Sequence, residues 1–175
     1  MFSFLNLERS DLGLKPDHLL TFWMSLPQPQ YNTPQQVAFC DRLLERLRSL
    51  PGVASAAGVW PLPLAGDDAE VTFNIEERPA APSEWPQARI AFVTPDYFRT
   101  AGIPLLRGRV FNDYDNASTA RVLVVNKAFA DKFFPGEDVI GKRITPGANY
   151  TGEKGLPIRE IVGVVGSAKL FVTEA

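Results

Sequence analysis

Cysteine and histidine each occur once in this 175-residue chain, as Cys40 and His18, and that scarcity removes several kinds of chemistry. A lone thiol forms no internal disulfide and leaves the redox compartment open. One thiol and one imidazole cannot build the usual four-ligand structural zinc site, and no serine stands in a nucleophile-elbow pattern that His18 could serve. Long apolar runs are missing too. No stretch approaches the roughly 20 apolar residues that cross a bilayer, and the first residues lack the basic flank and apolar core of a signal peptide. Charge of one sign is also lacking: the formal net charge is -2, and lysine and arginine cluster only weakly. Such a surface offers no electrostatic footprint for nucleic acid.

What is present is an ordinary globular composition, 45% hydrophobic and 22% charged, which argues against disorder of the whole chain. The length suits one domain or two small lobes. Residues 18–26 are apolar and rich in strand formers (Leu19, Leu20, Phe22, Trp23) and stop at Pro27, which predicts a strand. Thr33 before Pro34 supplies an N-cap and a favoured first helical residue, and Gln36 is the capping-box partner. Val37, Cys40, Leu43, Leu44, Leu47 and Leu50 then recur on one helical face, opposite Asp41, Arg42, Glu45 and Arg48. On that stripe Cys40 reads as a buried, inert thiol. Pro51-Gly52 ends the helix and residues 53–60 resume as a strand, so residues 18–60 are expected to form a β-α-β unit.

Residues 70–75 alternate as a strand, and residues 88–93 are a second run able to pair with it across a proline-rich link. A first lobe ends there. Thr94-Pro95-Asp96 opens a short helix that Gly102 closes. Residues 121–125 read as a strand, Asn126 caps a helix carrying Phe129 and Phe133, and Pro135-Gly136 breaks it. Residues 139–144 and 158–165 then read as two strands joined by a glycine-rich loop, which makes a second, mixed lobe.

Several patterns invite a functional reading and meet a simpler one. Gly136 to Lys142 nearly spells a phosphate-binding P-loop. Arg143 replaces the magnesium-binding hydroxyl, however, a helix precedes it, none follows, and Glu137 and Asp138 would repel phosphate, so a helix-to-strand turn is expected. The sets Asp67/Asp68/Glu70 and Asp113/Asp115/Asn116 lack the glycine and terminal glutamate of an EF-hand and read as solvated turns. Gly163 and Gly166 belong to a strand in which small residues permit close packing. Asn116-Ala117-Ser118 and Asn149-Tyr150-Thr151 match the glycosylation sequon and indicate surface placement. In Arg107-Gly108-Arg109 the glycine supplies a bend and the arginines pair with nearby carboxylates. His18 takes a structural role. Catalytic, cofactor-binding and metal-binding residues are therefore assigned to none of these.

Taken together, residues 93–144 and 159–166 carry a dense set of turns and strands: Thr94-Pro95-Asp96-Tyr97-Phe98, Arg107-Gly108-Arg109, Phe134-Pro135-Gly136-Glu137-Asp138 and Gly163-Val164-Val165-Gly166. With Leu12-Gly13, Pro16-Asp17, Leu50-Pro51-Gly52-Val53 and Pro61-Leu62-Pro63-Leu64, this set resembles the periplasmic core domain of MacB-like ABC-transporter permeases over almost the whole chain. The resemblance implies an α+β, two-lobed fold: a porter-like β-α-β lobe over residues 17–93, a smaller mixed α/β lobe over 94–168, and flanking segments 1–16 and 169–175. It also implies a place on the periplasmic, extracytoplasmic side of a bacterial inner membrane, as part of a membrane-anchored protein. Residues 1–7 look like the trailing end of a membrane helix, and the rest of the domain would follow Ala175. Function would be mechanical: coupling cytoplasmic ATP-driven motion to export or signalling by contacting a substrate or an adaptor, with ATP hydrolysed in a separate domain. The partners implied are transmembrane segments of the same permease and an adaptor or exported substrate, and the isolated domain would be a monomer without cofactor. Trp60, Leu62 and Leu64, on a loop stiffened by two prolines, are the candidate partner contacts, with packing between lobes as the other explanation. A free-standing interaction domain of unrelated ancestry, or an enzyme assembled from scattered Asp, Arg and Tyr side chains, are the rival readings.

Overall fold

The computed structural model describes residues 13, 15, 17–27, 30–63, 69–116, 119–147 and 157–168. Its elements are helix α1 (Thr33–Arg48), strands β1 (Val59–Trp60), β2 (Glu70–Ile75), β3 (Gln87–Arg89) and β4 (Phe92–Val93), helix α2 (Tyr97–Thr100), strands β5 (Leu105–Gly108) and β6 (Val122–Asn126), helix α3 (Lys127–Phe133), and strands β7 (Arg143–Pro146) and β8 (Arg159–Val165). The fold is mixed α and β.

Strand β8 organises the main sheet. It pairs antiparallel with β7 at its first residues and with β5 at its last, and parallel with β6 along its length. Parallel neighbours need a crossover, and α3 followed by β7 supplies it. The sheet continues from β7 through β2 to β3, so its six strands come from both sides of residue 93. Burial explains the composition of β8: Ile161 is fully enclosed, and Val164 and Val165 are nearly so. Val164 belongs to a core with Phe73, Val125, Phe134, Val139, Ile144 and Ile161. Val165 belongs to a second core with Phe98, Ala101 and Ile103. Adjacent strand residues point to opposite faces, so these are the two faces of one sheet, and a strand covered on both reads as a continuous apolar run.

Glycine is required where β5 leaves this sheet. A Cβ on Gly163 would overlap the Arg109 carbonyl, and a Cβ on Gly108, whose φ is 69°, would overlap that of Val162. Close packing in β8 and the bend in Arg107-Gly108-Arg109 thus have one origin, two backbones in near contact.

Helix α1 forms as its proline and glycine punctuation indicates, with its cap one residue earlier than expected. The Asn32 side chain accepts from the Gln35 N–H at 3.1 Å, and the Gln35 side chain accepts from the Asn32 N–H at 2.9 Å. A correction applies to the β-α-β unit around it. Residues 18–27 form no strand, and residues 53–58 are irregular before the two residues of β1. A strand needs a neighbour to take its N–H and C=O groups, and no described strand lies beside residues 18–27, where Leu20 is 88% exposed. The stripe on α1 is likewise only partly used: Leu44 is buried, Leu47 half-buried and Val37 exposed. Farther on, the run at 88–93 divides between β3, which pairs with β2, and β4, which pairs with β1. Residues 139–142 are a turn, and the strand starts at Arg143.

Candidate functional site

A groove of about 650 Å³ opens between the second half of α1 and the segment running from Thr94 to Asp113. Its floor is apolar. Leu44, the buried residue of α1, faces a bed formed by Phe98, Ile103 and Phe111, which come from the second core and its border. The rim is charged, with Asp41 and Arg48 on the helix and Asp96, Arg99 and Asp113 opposite.

One ion cluster ties the two walls together. Arg48 Nη2 lies 3.0 Å from Asp96 Oδ2, and Arg99 Nη2 lies 3.0 Å from Asp96 Oδ1. Arg48 also donates through Nε and Nη2 to the Ala56 carbonyl, at 3.3 and 3.1 Å, so one guanidinium joins the end of α1, the segment after it and the start of α2. Such use of a planar fork suits arginine better than lysine. At the groove's edge, where Thr94 continues from β4, the Gly58 N–H donates to Thr94 Oγ1 at 2.9 Å and the Thr94 N–H to the Gly58 carbonyl at 3.0 Å. Beside the groove, burial holds the Tyr97 hydroxyl above its ordinary pKa. An apolar floor with a few polar groups on the rim is the general form of a binding cleft.

The candidate contacts named from the sequence lie in a different place. Trp60, 41% exposed, is tilted against Phe92 with ring centroids 5.9 Å apart, and Leu62 is half-buried. Leu64 lies outside the described residues. Sequence reasoning missed the groove because its walls are some fifty residues apart in the chain and no spacing rule joins them. Leu105 and Leu106 are the apolar pair in β5, where sequence reading assigned no strand and placed only a bend at Gly108.

The remaining patterns resolve into structure. Residues 134–142 are a turn between α3 and β7, in which Lys142 Nζ lies 3.4 Å from Glu137. Arg107 pairs with Asp138 at 2.7 Å and Arg109 with Asp115 at 2.6 Å. Asp115 therefore serves the folding of its loop. Glu70 lies beside Arg89, and His18 is exposed at a turn with φ 60°. Asp67, Asp68 and the second sequon lie outside the described residues, as do Ala117 and Ser118 of the first.

With this geometry established, the family model for the MacB-like periplasmic core domain matches residues 9–173. The chain belongs to that family. Among solved structures, the periplasmic region of MacB from Actinobacillus actinomycetemcomitans is similar to it with a TM-score of 0.51 and 16% identity, covering 73% of this chain and 50% of that one. The extracellular domain of the noncanonic ABC-type transporter YknZ from Gram-positive bacteria follows, with a TM-score of 0.49 and 18% identity over 78% of this chain and 64% of that one. The chain thus spans half the length of the MacB region and under two thirds of the YknZ domain. At these identities the MacB likeness speaks for the fold. No functionally curated protein matches the chain at a significant level. No described helix is long and apolar enough to cross a membrane. The family itself is that of a periplasmic domain of transporter permeases, on the extracytoplasmic side of a membrane protein.

Proposed function

We propose that this domain works mechanically outside the cytoplasm. Joined to transmembrane segments of its own permease at the bacterial inner membrane, it converts ATP-driven motion into a change at a surface that meets an exported substrate or an adaptor. The observation that carries this reading is the family match over residues 9–173. The groove supports it, because its two walls come from separate parts of the chain and, among the described residues, one ion pair, Arg48–Asp96, joins them across the rim. One partly exposed ion pair holds such walls weakly, at roughly 0–1 kcal/mol, which leaves them free to part and close. ATP hydrolysis belongs to a separate domain of the transporter.

The test is to bridge the groove in the intact permease. Cysteines replacing Asp41 and Asp113, in a Cys40→Ala background, would be joined by a short bifunctional maleimide and transport followed in membrane vesicles. Bridged protein is expected to lose ATP-driven transport, while either single-cysteine variant treated alike retains it. Transport that continues in fully bridged protein, with bridging verified by mass spectrometry, would overturn the mechanical reading.

A further inference from the structure

On this sheet Arg78, Arg107 and Arg109 each end on a carboxylate. Arg121 and Arg159 do not: among the described residues no carboxylate lies within ion-pair distance of either. Their placement follows from the ladder. Val122 pairs with Glu160 in the parallel β6–β8 register, and the Glu160 N–H donates to the Arg121 carbonyl at 3.0 Å. The residues just before, Arg121 and Arg159, therefore stand side by side on the other face. That face is the first core's. Arg159 is opposite Ile144 of β7, and the next residues on the same side of the two strands are Ile161 and Leu123, all of them in or against that core. Glu160 cannot neutralise the pair, because it points to the opposite face, where Arg143 is its cross-strand neighbour.

Among the described residues nothing rewards the arrangement. Arg159 Nε is buried and has no acceptor among the described residues. Burial depresses the pKa of the Arg159 guanidinium, and the charge of Arg121 depresses it further. An apolar side chain of similar volume would fill the same place without either cost. A residue that fold stability does not favour is explained by a ligand that it does favour.

We propose that Arg121 and Arg159 form a receptor for a phosphate-type oxyanion. Two guanidinium forks on strands about 4.8 Å apart can converge on one tetrahedral group. Phosphate offers oxygens enough for both and negative charge for each, whereas a carboxylate has two oxygens and one charge, which a single fork takes up. With Nε enclosed, the terminal amino groups of Arg159 are the donors for the ligand. A soluble phosphate compound and a phospholipid headgroup present the same chemistry.

Calorimetric titration of the chain with inorganic phosphate, in chloride buffer of matched ionic strength, is the first arm. Binding is expected, and Arg159→Met and Arg121→Gln are each expected to weaken it about tenfold or more, as losing a charged hydrogen-bond partner does. Arg121 is exposed, so Arg121→Gln tests the site even if Arg159→Met folds poorly. The second arm is co-flotation with vesicles of phosphatidylcholine alone and of phosphatidylcholine with phosphatidylglycerol. Retention on the phosphatidylglycerol vesicles that Arg121→Gln abolishes assigns a lipid headgroup, and phosphate binding without retention assigns a soluble ligand. Absence of both, or binding that the two substitutions leave unchanged, overturns the site. These outcomes are independent of whether the groove moves during transport.

Discussion

Asp115 illustrates how one side chain can look like a metal ligand in sequence and prove to be a brace. It accepts from both terminal nitrogens of Arg109, at 2.6 and 2.8 Å, and from the Asn112 N–H at 2.9 Å. The Arg109 hydrogen bond, helped by that of Asn112, lowers its pKa below the ordinary 3.8. On unfolding the carboxyl returns to its ordinary value. Between the two values the unfolded chain binds more protons, so the stabilisation is complete above about pH 4 and is lost as the pH falls through the folded value. Because Arg109 is itself 44% exposed, the contribution at neutral pH is expected to be about 1 kcal/mol. Urea melts of wild type and Asp115→Asn should differ by that amount at neutral pH, and the difference should shrink as the pH is lowered toward 3, by roughly the linkage expected of a single carboxylate. A difference that stays constant with pH would show that the ion pair is not its source. The pairing of Arg107 and Arg109 with carboxylates was legible in the sequence as charge near charge. Which carboxylates they meet was not, since Asp138 lies thirty-one residues from Arg107 and reaches it only through the fold.

At the scale of elements, what can be read from sequence is what a short stretch of chain decides for itself. Asn126 caps α3, with its Oδ1 accepting from the Phe129 N–H at 2.8 Å, and Phe129 and Phe133 then stack one turn apart with centroids at 4.8 Å. Both features follow from helical geometry alone. Strands at residues 18–26 and 53–58 were not decided locally, because pairing depends on a neighbour that any part of the chain can supply. The α1 cap lies between these cases: the proline was read correctly, but two adjacent polar residues compete for the cap, and Asn32 takes it in place of Thr33. Asn32→Ala should therefore destabilise the domain by about 1 kcal/mol, while Thr33→Ala should stay within about 0.5 kcal/mol of wild type. Chemical denaturation of both variants measures this directly. Equal losses would place the cap elsewhere. The last turn of the same helix carries Arg46 and Arg48, favourably placed against the helix dipole, so α1 is secured electrically at its C-terminal end as well as by its N-terminal cap.

For the molecule as a whole, the question is which apolar groups the fold itself buries and which it leaves exposed. Phe73 is buried and Trp60 partly exposed, and comparing them tests whether Trp60 belongs to the core. Phe73 is 2% exposed and meets Phe129 and Phe133 with centroids 5.2 and 5.0 Å away, so Phe73→Ala should cost about 3–5 kcal/mol by leaving a core cavity. Trp60 sits on a two-residue strand, and its ring partner Phe92 is itself 47% exposed. An exposed aromatic pair contributes less, about 0.5–1.5 kcal/mol beyond its partial burial. Trp60→Ala is thus expected to lower the thermal midpoint by clearly less than Phe73→Ala. If Trp60 and Leu62 dock an adaptor or substrate, the same substitution should reduce transport by the intact permease severalfold while the domain stays folded, as loss of an aromatic anchor does at other interfaces. Two results would remove this role: a stability loss as large as that of Phe73→Ala, which would make Trp60 a core residue, or wild-type transport in a well-folded Trp60→Ala permease.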